Sequence, residues 1–310
     1  MKILFMGTPE ISAICLERLI TDGHNVVAVV TREDKPRGRG NVMTPTPTKT
    51  VALANGIPVY EPSTLKDEAF NELLSQIAPD LIAVVAYGKI LPPSVLEYPV
   101  YGCINLHVSL LPKYRGAAPM QRAIMEGETE TGVTVMYMNE GLDTGDIISK
   151  EVFPISATDD FEAIHDRSAE IGGALLSRTI VDIENGTAVR TPQDHNAATY
   201  AAKIEKSDCR IDFNLPANRL GCIIRGVTPI PGAFAYLNGK MLKIYKVTPV
   251  DLCGTPGEVL EANGVGTGYI TVACGKGALK IEGVVPEGKG RMSAGDFVRG
   301  RKIVKGDMLS

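Results

Sequence analysis

Apolar positions in this chain follow two rhythms. Up to about residue 206 they form continuous runs, Lys2 to Gly7, Asn25 to Thr31, Asp80 to Tyr87, Gly102 to Val108 and Thr131 to Met138. Runs of that kind predict strands covered on both faces, as in a parallel sheet. Between them apolar residues recur at helical spacing: Ile11, Ile14, Cys15, Leu16 and Leu19 after Thr8-Pro9-Glu10, then Ala163, Ile164, Ile171, Leu175, Leu176 and Ile180 within 158–185. The first half therefore predicts a doubly wound, mostly parallel α/β domain. From residue 207 onward the runs are short and punctuated by Gly, Pro and Asn: Cys209 to Phe213, Gly232 to Tyr236, Met241 to Thr248, Gly257 to Leu260, Tyr269 to Val272 and Ala278 to Ile281. That rhythm predicts a small OB-like β-barrel. The aperiodic stretch between the two places the boundaries at 1–187, 188–206 (linker) and 207–310.

Composition fits this division. A chain of 310 residues with 44% hydrophobic content is ordinary for a globular protein of two domains. Its net charge is −4, but residues 1–206 carry 18 basic and 27 acidic side chains, whereas 207–310 carry 14 and 9. A basic C-terminal domain on an acidic body suits an anionic partner such as nucleic acid, although a solvated basic surface has the same signature. Six scattered cysteines, with no C-x-x-C and no His at ligand spacing, suggest neither a disulfide framework nor a zinc site. The opening run Met1 to Gly7 is too short for a signal peptide or membrane span, so a cytoplasmic protein without membrane contact is expected. The turn Gly7-Thr8-Pro9 lacks G-x-G-x-x-G, which disfavours a nicotinamide enzyme.

Two stretches carry candidate chemistry. In the strand Gly102 to Val108, Asn105 and His107 stand two residues apart and share a face of the sheet. Pro112 and Gly116 end regular structure just beyond, and strand ends are where open α/β sheets bind ligands. Both groups could also be ordinary hydrogen-bonded side chains. The second stretch, Asn139-Glu140-Gly141-Leu142-Asp143-Thr144-Gly145-Asp146, is a loop holding carboxylates after the next strand. A third feature is the irregular segment 32–49, where Arg32, Lys35, Arg37, Arg39 and Lys49 face Glu33 and Asp34. Such a loop reads either as a phosphate grip or as a solvated loop.

The run N-x-H-x-S-L-L-P-x-Y-R-G, followed by G-L-D-T-G-D, resembles the 10-formyltetrahydrofolate-dependent formyltransferases. Tyr200 to Ile204, Ile211-Asp212-Phe213 and Ile224 to Ala233 extend the likeness over the whole chain, toward the methionyl-tRNA formyltransferase branch. The resemblance implies a catalytic triad of Asn105, His107 and Asp143, and a folate-binding turn Ser109-Leu110-Leu111-Pro112 with Ile90 and Leu91 nearby. It also implies that the basic loop, through Lys35, Arg37 and above all Arg39, enters the acceptor arm of a tRNA. Family members commonly have a small residue at position 108 and Trp at 213, where this chain has Val108 and Phe213; both departures concern local packing.

The chemistry implied needs an unprotonated amine, a stabilised oxyanion and a proton route, and no metal. Asn105 and His107 could donate to the oxyanion, each such donor being worth about 2.7–4 kcal/mol. Asp143 could favour the imidazolium or accept the amine's proton. The resemblance thus implies formyl transfer from 10-formyltetrahydrofolate to the α-amine of initiator methionyl-tRNA, for translation initiation, by a monomer. An amino sugar nucleotide, glycinamide ribonucleotide or water as acceptor, and a non-catalytic folate- or RNA-binding protein, are the alternatives.

Overall fold

A computed structural model describes residues 1–37 and 42–310. The strands are β1 Ile3–Gly7, β2 Val26–Val30, β3 Lys35–Arg37, β4 Val42–Thr44, β5 Val59–Tyr60, β6 Leu81–Val85, β7 Cys103–His107, β8 Arg115–Gly116, β9 Glu130–Tyr137, β10 Ile147–Pro154 and β11 Tyr200–Ala201. After them come β12 Ala233–Leu237, β13 Lys240–Val250, β14 Val259–Asn263, β15 Tyr269–Ala273, β16 Ala278–Pro286 and β17 Met292–Ser293. The helices are α1 Glu10–Thr21, α2 Pro47–Ala54, α3 Glu68–Ile77, α4 Pro93–Leu96, α5 Pro119–Glu126, α6 Phe161–Glu184, α7 Ala217–Gly226 and α8 Ala294–Arg299. None of the described helices is long and apolar enough to cross a membrane.

The chain divides into two compact units, and the division is not a single cut. The first comprises Met1–Pro119, Glu130–Phe153 and His165–Ala201; the second comprises Met120–Thr129, Pro154–Ile164 and Ala202–Ser310.

The first unit is the α/β domain that the continuous apolar runs predict. Its seven-stranded sheet has the order β10-β9-β7-β6-β1-β2-β5. Strands β5, β2, β1, β6 and β7 are mutually parallel, and β9 runs antiparallel to β7. The chain winds from β1 outward through β2 and β5, then returns to the other side of β1 as β6. Such a switch leaves a crevice at the carboxyl ends of the strands. On one side of the sheet Leu4, Met6, Ala28, Val30, Ile82, Val84 and Cys103 pack against Phe70, Leu74 and Val95. Cys103, which shares a strand with Asn105 and His107, is a core residue: its thiol points at the carbonyls of Val95 and Leu96, and burial pushes it up to about 12.

Two local details differ from the sequence reading. The segment 32–49, irregular by sequence, contains β3 and β4 paired antiparallel, and its last residues, from Pro47 on, open α2. Thr46 caps that helix by accepting from the Lys49 amide, and Pro at the first position needs no amide partner. The Thr8 hydroxyl donates to the Tyr87 carbonyl, tying the turn after β1 to the one after β6.

The second unit is an antiparallel β domain of order β12-β13-β16-β15-β14, with β17 on β16. Alternate residues of β12 and β13, including Ala233, Ala235, Leu242 and Ile244, turn inward onto Leu220 and Ile224 of α7. The segment 306–310 joins the two outer strands. On one side Val259 and Leu309 donate to Asp307 and Gly257; on the other, Tyr236 and Ser310 exchange both backbone hydrogen bonds. The sheet is thereby closed into a barrel. The expected first strand at Cys209 to Phe213 is instead a turn followed by a single bridge, Arg210 to Phe234.

Candidate active site

His107 ends β7 and is almost fully buried. Its Nε2 lies 2.9 Å from the Tyr114 carbonyl oxygen. A carbonyl only accepts, so Nε2 carries the hydrogen and Nδ1 is the nitrogen that gains or loses a proton. Nδ1 is 3.7 Å from Oδ2 of Asp143, inside the range of charge attraction and beyond a direct hydrogen bond. Nε2 is thus held by the backbone, and Nδ1 faces the Asp143 carboxylate. The Asn105 side chain is half-buried on the same strand, and its amide has no hydrogen-bond partner among the described residues.

Asp143 is aimed by backbone. The Gly116 amide donates to its Oδ2 at 2.8 Å, and Asp143 itself sits at φ 52°, a left-handed conformation uncommon for a non-glycine residue. The loop holding it is braced from within, Asn139 Oδ1 accepting from the Gly141 amide and from the Thr144 hydroxyl. Gly145 is required by space, because a Cβ there would lie 1.8 Å from the Tyr137 carbonyl oxygen. At Gly116, φ 116° and a would-be Cβ 2.9 Å from the Ala201 carbonyl oxygen impose the same choice.

Sequence reasoning missed the support beneath this loop. Gln193 donates through Nε2 to the carbonyls of Asp143 (2.9 Å) and Gly145 (2.7 Å). Its Oε1 accepts from Nε and Nη2 of Arg115, at 3.2 and 2.6 Å, and that guanidinium also donates to Nδ1 of His195. Only the motif's own arginine could have signalled this network; Gln193 lies in an aperiodic connection.

The turn after β7 is fastened as firmly. Thr134, fully buried on β9, donates to the Ser109 carbonyl and accepts from the Leu111 amide. The Ser109 hydroxyl donates to the Lys113 carbonyl, and Lys150 donates to the Leu111 carbonyl. Leu110 is half-buried, but Leu111, 1% exposed, packs on Met136 and Ile147. Its side chain is therefore core, so of the two leucines in the implied folate-binding turn only Leu110 keeps exposed surface. The same split holds before α4: Ile90 is 84% exposed, whereas Leu91 is 3% exposed and belongs to the sheet core. Leu142, in the acidic loop, is 61% exposed and was not anticipated.

Of the basic loop, Lys35 is exposed on β3, opposite Thr44. The backbone of Arg37 pairs with Val42, and Arg39 lies outside the described residues. Beneath the hairpin, Lys49 bridges Asp34 and Glu61 at 2.8 and 2.7 Å, and its ammonium holds the Asp34 carboxyl below the usual carboxylate range. Lys49 is consequently a structural cation and not a free phosphate ligand.

With this geometry in place, the chain was compared with known proteins. Residues 1–180 match the family described as formyl transferase, and residues 203–302 match the formyl transferase C-terminal domain. A methionyl-tRNA formyltransferase of Geotalea uraniireducens (strain Rf4) is 45% identical over 309 residues, covering 100% of this chain and 98% of the relative. Another, of Alkaliphilus oremlandii (strain OhILAs), is 45% identical over 311 residues, covering 100% and 99%. Among solved structures, an N-formyltransferase from Helicobacter canadensis in complex with folinic acid and dTDP-3-aminofucose has a TM-score of 0.68 at 22% identity, over 91% of this chain and 98% of that one. HypX from Aquifex aeolicus with tetrahydrofolic acid has a TM-score of 0.67 at 20% identity, covering 99% of this chain and 50% of that one. These two likenesses are of fold.

Proposed function

Because this chain belongs to the methionyl-tRNA formyltransferases, within the formyl transferase family, we propose that it transfers the formyl group of 10-formyltetrahydrofolate to the α-amine of methionine on initiator tRNA. It does so as a cytoplasmic monomer, with residues 1–187 as catalytic domain, 188–206 as linker and 207–310 as a tRNA-binding barrel. The observation that carries the reading is full-length identity of 45% to such enzymes, joined to a strand end where an Asn105 amide unpartnered among the described residues shares a strand with His107 of the His107–Asp143 pair.

In this reading Asn105 donates to the oxygen on which negative charge grows as the amine attacks, a donor aimed in advance and costing little reorganisation. Asp143 takes the proton shed by the attacking nitrogen, directly or through Nδ1 of His107, and the proton passes on to the folate N10 as the formyl C–N10 bond breaks and tetrahydrofolate leaves. Nε2 of His107 stays on the Tyr114 carbonyl throughout, so the ring orientation survives the transfer. Ser109, Leu110 and Pro112 shape the folate turn, Leu111 contributes backbone, and exposed Ile90 and Leu142 offer apolar surface to an aromatic ring. Leu91 supports that wall from the core. Lys35, Arg37 and Arg39 of the basic segment contact phosphates of the acceptor arm.

The test is transfer of labelled formyl from 10-formyltetrahydrofolate to initiator methionyl-tRNA, beside uncharged tRNA and free methionine. Label is expected on the charged tRNA alone. Asp143→Asn should lower the rate by about 10²–10⁴-fold, the usual worth of a proton acceptor, with folate binding retained. Arg39→Ala should raise KM for the tRNA and leave that for the folate unchanged. Folate consumed without labelled tRNA would assign another acceptor.

A further inference from the structure

Three consecutive residues after the folate turn hold the two halves of the proton route. The Tyr114 carbonyl orients His107, the Gly116 amide orients the Asp143 carboxylate, and between them the Arg115 side chain runs to Gln193. Gln193 reaches the backbone of the Asp143 loop at two places, the carbonyls of Asp143 and Gly145.

The amide orientation of Gln193 follows from chemistry. With Oε1 on the guanidinium, both of its Nε2 hydrogens have a carbonyl to meet. Turned over, the oxygen would face two carbonyl oxygens and the NH₂ group would face the guanidinium, so every contact would become repulsive. Arg115 is 2% exposed and Gln193 is 7% exposed, so water does not compete for these bonds. The hold falls on the residue that needs it, because Asp143 occupies a left-handed conformation at φ 52°.

We propose that Gln193, locked by Arg115, is a positioning residue that holds the Asp143 carboxylate facing Nδ1 of His107, 3.7 Å away. This rests on the reading of Asp143 as the proton acceptor. Loss of the two donated bonds lets the loop backbone relax, and displacement of a reacting group by about 1 Å can cost on the order of 10²-fold in rate. The effect belongs to the chemical step, since Gln193, 7% exposed, offers little surface to either substrate.

Gln193→Glu decides the matter, because a carboxylate still satisfies Arg115 and fills the same volume but cannot donate to the two carbonyls. In single-turnover transfer from 10-formyltetrahydrofolate to methionyl-tRNA, the full-length variant is expected to lose about 10- to 100-fold in rate, with both KM values within about threefold of the parent. A thermal melt on the same sample reports folding. Arg115→Lys, which loosens only the far end of the brace, should fold and lose less than Gln193→Glu. A Gln193→Glu rate within threefold of the parent overturns the proposal, as does an Arg115→Lys loss larger than that of Gln193→Glu. Asp143→Asn run alongside separates the levels. Unchanged transfer there removes the role of Asp143 and this inference with it; lost transfer there with Gln193→Glu unaffected removes the inference alone.

Discussion

At the scale of single residues, fixing His107 Nε2 on the Tyr114 carbonyl decides which atom can exchange a proton, and Asp143 is placed on that atom. Neighbouring leucines and isoleucines divide as sharply between packing and exposure. Leu111→Ala, at a site 1% exposed, should cost about 2–5 kcal/mol in a urea melt through the cavity it leaves. Ile90→Ala, at a site 84% exposed, should leave the melt unchanged and raise KM for the folate. If both variants behaved alike in the two assays, the division would be wrong. In the sequence Asn105 and His107 stood out as a pair on one strand face and Asp143 as one carboxylate of an acidic loop, while their grouping as a triad came from the family resemblance; the structure puts His107 and Asp143 3.7 Å apart. The inward turn of Leu111 and Leu91 was not legible, since two adjacent apolar residues at a turn give no period from which to assign a face. Gln193 left no mark either, because its partners are two backbone carbonyls and a distant arginine.

At the scale of elements, strands announced themselves better than the segments that tie them. The runs at 3–7, 26–30, 81–85, 103–107 and 130–137 appear close to where apolar continuity put them. The hairpin of β3 and β4 and the two-residue pairing of β8 with β11 were illegible, being too short for either rhythm. Helix α5 shows how a short element is secured: its Arg122 donates to the Asp208 carboxylate and to the carbonyls of Ala202 and Lys203. The hydrogen bond from Arg122, ahead of the other influences, holds the Asp208 carboxyl below its usual range. A carboxylate lowered in the folded state adds stability above its unfolded pKa, and that stability disappears as the pH falls through the folded value. Asp208→Asn should therefore melt lower than the parent at pH 7, by no more than about 1 kcal/mol for a pair this close to solvent. The difference should vanish when melts are repeated in acid below the ordinary carboxylate range. A difference that persists there would assign the loss to packing and not to charge.

At the scale of the whole molecule, the two rhythms of apolar spacing correspond to the α/β sheet and the antiparallel barrel, so fold class was readable from periodicity alone. What periodicity did not show is that 120–129 and 154–164 belong to the second compact unit. It also gave no sign that 306–310 closes the barrel, because five residues ending Asp307-Met308-Leu309-Ser310 carry no alternation long enough to read. Removing 306–310 should leave β12 and β14 unpaired on one side, lowering the melting temperature and producing aggregates visible by light scattering. An unchanged melt with no scattering would show the closing segment to be dispensable. The hairpin β12–β13 and the meander β14, β15 and β16 can each assemble through sequence neighbours, whereas closure joins Tyr236 to Ser310 from distant parts of the domain's sequence. Non-local pairing is entropically late. Refolding should accordingly pass through a species with two open edges, and its yield should be set by a race between intramolecular closure, indifferent to protein concentration, and edge-to-edge pairing between copies, which grows with it.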